Sequence, residues 1–152
     1  MRRTQRSLYL SALRAHIFNT LLAARLVAGN WLGMEEHAIA MLAGSRSFFR
    51  VEEVDDDLLR RVAEGDLHPG LPLWGRAKPD GADLQLPAEL AALGAFLENQ
   101  GLALDYRAVR VIPDDFSWQF CDDETLQLTF SLPAGSYATA VLAECVQYRQ
   151  GQ

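Results

Sequence analysis

The chain has 152 residues, 49% of them apolar, so one ordinary domain or a small domain plus part of another can bury a core, and wholesale disorder is excluded. Its formal net charge of −6, from 14 Lys and Arg against 20 Asp and Glu, argues against a generic nucleic-acid binder. No apolar run approaches the roughly 20 residues that a membrane span needs, and the basic-then-apolar opening fails as a signal peptide because Arg14 and His16 interrupt it.

In chain order, Leu10, Leu13, Ile17, Leu21, Ala24 and Ala28 recur at intervals of three or four, which predicts an amphipathic helix from Ser7, as N-cap, to a stop at Gly29. Arg14, Phe18 and Arg25 fall on the flank of that stripe. Charge is segregated here: five arginines and no acid lie between Met1 and Met34, whereas Glu52–Asp57 holds five acids in six positions. A local basic face can therefore exist on an acidic protein. Ala38–Leu42 and Phe48–Val54 read as strands across the turn Ala43-Gly44-Ser45. Asp55 or Asp56 caps a short helix ending at Glu64 before Gly65. The Pro- and Gly-rich stretch Leu67–Leu86 has no period and reads as a long loop. Pro87 opens a helix over Ala88–Gln100, with Leu90, Leu93 and Leu97 inward.

Beyond this point the pattern is mostly strand. Arg107–Ile112 is one candidate. Phe116, Trp118 and Phe120 alternate with polar residues, as do Leu126, Leu128 and Phe130, so Cys121–Glu124 joins them as a hairpin. Pro133-Ala134-Gly135-Ser136 turns the chain into a last helix, Tyr137 to about Tyr148, with Ser136 as its cap. The class is α+β, with strands grouped late.

The sharpest place for chemistry is that last turn. Backbone N–H groups at a helix start, reinforced by the helix dipole, suit a phosphate or carbonyl oxygen, and Tyr137 beside them suits stacking on a planar base. A plain strand-to-helix connection with a packed tyrosine is the competing reading. Arginines flanking an apolar stripe, Arg14 and Arg25, suit an RNA backbone or a snorkelling role over the core. Arg107 and Arg110 carry the same weak signal. Glu52–Asp57 lacks metal-ligand spacing and reads as a solvated helix start. Cys121 and Cys145 lack zinc or redox spacing and read as buried free thiols. His16, His37 and His68 lie apart, with no triad context.

Several stretches together resemble one family. Phe116-Ser117-Trp118 followed by Phe130-Ser131-Leu132-Pro133-Ala134-Gly135-Ser136-Tyr137-Ala138-Thr139 is similar to the strand pair and LPxG(S/A)(Y/F)AT signature of the TruD family, pseudouridine synthases that act on a uridine in the D-stem of tRNA. Arg6-Ser7-Leu8-Tyr9-Leu10-Ser11-Ala12-Leu13-Arg14, with Phe18-Asn19, resembles the family's RSxxLSAxRSxxFN helix. Ala40–Ser45, Gly65–Pro69 and Leu73-Trp74-Gly75-Arg76 look like pieces of the domain inserted into its catalytic fold. Two departures stand out: His37-Ala38 where the family usually has Gly-Asp, and Ala143 in place of an arginine.

The resemblance implies an α+β chain made of most of the inserted domain (1–106, its N-terminal part missing) and the C-terminal strands and helix of the catalytic domain (107–152). The family's Lys-Asp stretch, which carries the catalytic aspartate, and its Asn-x-Phe-Gly-x-Gln-Arg-Phe-Gly stretch lie N-terminal to these motifs. Neither occurs in the 152 residues, so the expectation is a fragment without the catalytic residue, inactive alone. The base would detach, rotate and rejoin through carbon without metal or organic cofactor. The resemblance further implies a cytoplasmic protein with tRNA as partner, a substrate pocket at Tyr137, Gly135 and Ser136, and RNA contacts at Arg14, Asn19 and Arg76. The alternative is a non-catalytic truncated RNA-binding or inert domain.

Overall fold

The computed structural model describes residues 3–77 and 84–147, which form two compact units, 1–109 and 110–152. The first unit contains the helix α1 (Arg3–Val27), strands β1 (Ile39–Leu42) and β2 (Phe48–Arg50), helix α2 (Asp56–Glu64), strand β3 (Leu67–Leu73), helix α3 (Ala88–Asn99) and strand β4 (Asp105–Ala108). Its strands make one antiparallel sheet in the order β2-β1-β3-β4. The second unit contains the hairpin β5 (Asp114–Phe120) and β6 (Leu126–Ser131), followed by helix α4 (Ala138–Cys145). Mixed helix and sheet is thus observed.

Helix α2 follows its sequence signals closely. Asp55 accepts from the Leu58 N–H at 2.7 Å, and Gly65 ends the helix at φ 82°, donating to the carbonyls of Arg61 and Val62. Leu58 and Val62 drop one turn apart into a cluster with Met34, Ala40, Val51 and Leu67. Ile17 and Phe18 of α1 enter two further clusters, Ile17 with Trp74, Leu90 and Leu97, and Phe18 with Leu71 and Val109. Each such side chain, fully buried, contributes about 1.5–3 kcal/mol. Phe18 is therefore core rather than part of a basic flank. Ser7 lies inside α1, which starts at Arg3, so it is not the N-cap.

The stretch read as a loop contains the most buried strand of the sheet. β3 pairs with β1 through Leu67–Gly70 and with β4 through Gly70–Leu73. Two prolines fit because the ladders are offset. Pro69 turns its backbone to β4, where its carbonyl accepts from Val109 N–H at 2.9 Å, and Pro72, three residues on, turns its missing donor to the side where β1 has already ended. The prolines hid a strand that tertiary pairing enforces. Part of the expected loop, 78–83, lies outside the described residues. β4 begins two residues earlier than expected, at Asp105, and ends at Ala108, after which the Val109 N–H still bonds to the Pro69 carbonyl while its side chain joins the core.

Candidate functional site

In the second unit, β6 ends at Ser131 and the chain reverses through Pro133–Ser136. The Ser136 N–H donates to the Pro133 carbonyl at 3.1 Å. Gly135 has φ 89°, the left-handed value that the third position of a type II turn requires and that a side chain resists. α4 then starts at Ala138, with Tyr137 in extended conformation before it and no side chain capping the helix. Ser136 is thus not the cap: Tyr137 holds the N-cap position, and no side-chain oxygen of the described residues caps the helix. The expected end near Tyr148 lies outside the described residues, and the helix stops at Cys145.

What the corner offers is an uncapped helix start beside the Tyr137 ring, which is 74% exposed. Such a surface takes a planar group on the ring and an oxygen acceptor at the helix start. Across the ladder, Asp114 pairs with Ser131, and Asp115 takes φ 53° in a bulge between Asp114 and Ser117.

The hairpin beside this corner exposes apolar surface. Phe116, Trp118 and Phe120, at alternate positions on β5, are 43%, 61% and 67% exposed. Phe116 stacks on Phe130 with ring centroids 5.8 Å apart, and Trp118 meets Phe120 edge-on at 5.9 Å. Cys121 and Cys145, expected to be buried, are both exposed, because neither the turn nor α4 is covered among the described residues.

The arginines expected to meet RNA lie in the first unit. Arg14 Nη2 donates to the carbonyls of Leu73 at 2.6 Å and Ala103 at 3.0 Å, so this guanidinium fastens α1 to the sheet. Burial lowers its pKa, offset in part by the field of Asp105. Arg76 is exposed, and its backbone is held against the same segment: its N–H donates to Leu102 at 2.7 Å and its carbonyl accepts from Leu104 at 2.9 Å. Arg14 and Arg76 are therefore gathered at Leu102–Leu104. Asn19 is exposed on α1, five residues and about 140° around the helix from Arg14, on another face. Sequence reasoning missed Arg6, Ser7, Ser11 and Gln100, which share a groove of about 240 Å³ with Arg14. The signal for them was the absence of any acid in the 25 residues of α1.

The molecule is thus a mixed α and β protein offering an exposed aromatic beside an uncapped helix start, together with an arginine-bearing helix. The model of the family described as tRNA pseudouridine synthase D (TruD) matches residues 1–145, and the chain belongs to that family. It is 41% identical over 152 residues to a tRNA pseudouridine synthase D of Methylococcus capsulatus, with 96% of this chain and 43% of that protein covered. With a protein of the same description from Xanthomonas campestris it shares 43% identity, covering 95% of this chain and 41% of the relative. The chain therefore spans less than half the length of these curated relatives. A crystal structure described as a candidate tRNA pseudouridine synthase D (TruD) from Methanosarcina mazei has a similar fold, with a TM-score of 0.58 at 24% identity, covering 86% of this chain and 36% of that one.

Proposed function

We propose that this chain is the C-terminal portion of a tRNA pseudouridine synthase that isomerises a uridine of the tRNA D-stem. One observation carries the reading: the family match spans residues 1–145 and so takes in Leu132–Thr139, the stretch forming the turn and helix start beside Tyr137. On this reading 107–152 belongs to the catalytic domain and 1–106 to the inserted domain. The catalytic aspartate comes from the segment that precedes these motifs in the family. The bond from C1′ to N1 of uracil breaks, the base turns, a bond from C1′ to C5 forms, the proton on C5 is released and N1 takes one up, a balance that calls for no cofactor.

An enzyme acting on a base within folded RNA must flip it out and hold it. Tyr137 provides the stacking face, and Gly135 and Ser136 shape the ribose side. Arg76 and Asn19, both exposed, contact tRNA, whereas Arg14 contributes mainly by fastening α1. A cytoplasmic location goes with this reading.

The test is tritium release from unmodified tRNA carrying [5-³H]uridine. The assay compares the 152-residue chain with the same chain joined to the preceding segment of the Methylococcus capsulatus relative. Release is expected from the joined protein only. Turnover by the short chain would overturn the placing of the aspartate, and a folded but inactive joined protein would overturn the function.

A further inference from the structure

The groove on the first half of α1 has a composition that the proposed corner at Tyr137 does not explain. Arg6, Ser7, Leu10, Ser11 and Arg14 are spaced three and four apart, so they share one helix face, and they meet Gln100 and Leu102 from the end of α3. The groove holds about 240 Å³, and no carboxylate of the described residues lines it. On a chain of net charge −6 this concentration of arginine is selective rather than average.

Both cations are hydrogen-bonded by neutral groups, with Asp105 acting on Arg14 through its field alone. Arg6 Nη2 donates to Gln100 Oε1 at 2.9 Å, which orients the guanidinium at the groove without neutralising it. Arg14 is fixed through Nη2 by the two carbonyls, and its Nε is buried without a partner. The Arg6 guanidinium and two serine hydroxyls, with the positive charge of the clamped Arg14 behind them, make a donor set that matches a tetrahedral oxyanion, since a phosphate accepts in several directions at once and Arg offers paired donors. Leu10 and Leu102 supply apolar wall, which keeps water from competing on that side.

We propose that this groove binds a backbone phosphodiester of RNA, anchoring the tRNA through α1. The identity of the polynucleotide as tRNA rests on the function proposed above, while the phosphate chemistry rests on the groove alone.

The experiment measures anisotropy of a fluorescent RNA stem-loop titrated with the 152-residue chain at a series of salt concentrations. Arg6→Ala and Ser11→Glu leave the Arg14 clamp intact. Each is expected to weaken binding by about three- to tenfold and to flatten the plot of log affinity against log salt by about 0.7–0.9, the loss of one phosphate contact. Arg46→Ala removes an arginine whose side chain is 94% exposed outside the groove, and is expected to leave the slope unchanged. Circular dichroism checks that each variant is folded, and Arg14→Lys gives a further variant that keeps the charge. A second arm titrates inorganic phosphate and follows the amide signals of Ser7 and Ser11. Unchanged affinity and slope in folded Arg6→Ala and Ser11→Glu would overturn the proposal. So would inorganic phosphate displacing RNA at equal concentration, which would make the free ion the ligand. A wild-type chain that does not hold RNA at any salt would also overturn it, while leaving the isomerase reading to the tritium assay on the joined protein.

Discussion

Arg14 and Leu73 are 59 residues apart in sequence, yet the guanidinium of one donates to the carbonyl of the other at 2.6 Å. With the companion bond to Ala103, α1 is fastened to the end of the central strand and to the segment after α3. Leu73 is the last residue of β3, opposite Asp105 of β4, and its carbonyl takes the guanidinium as a further donor. Arg14→Ala leaves both carbonyls without that donor. The expected loss is about 1.5–3 kcal/mol, the range for hydrogen bonds made by a charged group. Urea unfolding followed by circular dichroism measures it. A midpoint unchanged from wild type would mean that the contact contributes nothing in solution.

Gly75 follows Trp74 at the same junction, where the chain runs beside residues 102–104. A Cβ there would lie 2.6 Å from the backbone carbonyl carbon and oxygen of Ala103 and 2.6 Å from the Leu102 oxygen. Backbone cannot swing aside as a side-chain tip can. Gly75→Ala should therefore cost about 1–3 kcal/mol, as overpacking does, and should also loosen the backbone grip on Arg76. Thermal unfolding gives the first effect. Faster hydrogen exchange at the Arg76 and Leu104 amides, which now bond across the junction, gives the second. Wild-type values for both would show that the junction has slack.

Elements governed by local rules were legible in the sequence. α2 was read from its caps because Asp55 and Gly65 act within a few residues of the helix they bound. The hairpin β5–β6 was read from period-two alternation. β3 was not, since nothing local in Leu-His-Pro-Gly-Leu-Pro-Leu favours a strand. It forms because β1 and β4 supply partners from distant sequence, and because the offset of their ladders leaves room for Pro69 and Pro72. The turn that would carry the site was legible in the same measure. The LPAGSYAT stretch marked the turn and Tyr137, but that Ser136 uses its N–H within the turn depends on geometry that composition does not carry. The groove at Arg6 depends on α3 arriving with Gln100, a contact spanning 94 residues.

Cys121 and Cys145 test the exposure of the second unit. Both thiols are exposed, at the end of β5 and the end of α4. Each should react with a thiol reagent such as DTNB in native buffer at a rate close to that of the denatured chain, because access is open. Modification sealed until denaturant is added would mean that another surface, such as the partner copy in an association, covers the unit. The apolar residues Phe116, Trp118 and Phe120 make such association a concrete outcome, since exposed aromatic surface of this kind drives self-contact. Thiol reactivity that falls as protein concentration rises would identify it.

Tyr137 separates stacking from packing. Its ring is 74% exposed, so within the 152-residue chain Tyr137→Ala removes almost no buried surface and should leave the melting temperature unchanged. In the protein joined to the preceding segment of a relative, the same variant loses a stacking face. Extracting a base from an RNA stem costs a few kcal/mol, and an aromatic stack returns about 1–3 kcal/mol of it. Tyr137→Ala should therefore lower catalytic efficiency by about 10- to 100-fold. Tyr137→Phe keeps the ring face and should be tolerated, because the hydroxyl is not what meets the base. Single-turnover rates and melting curves on the same joined variants distinguish the two roles. A normal rate with a lowered melting point in Tyr137→Ala would mean that the preceding segment buries the ring as core, and the stacking role would be lost. An equal loss of rate in Tyr137→Phe would instead move the function from the ring to the hydroxyl.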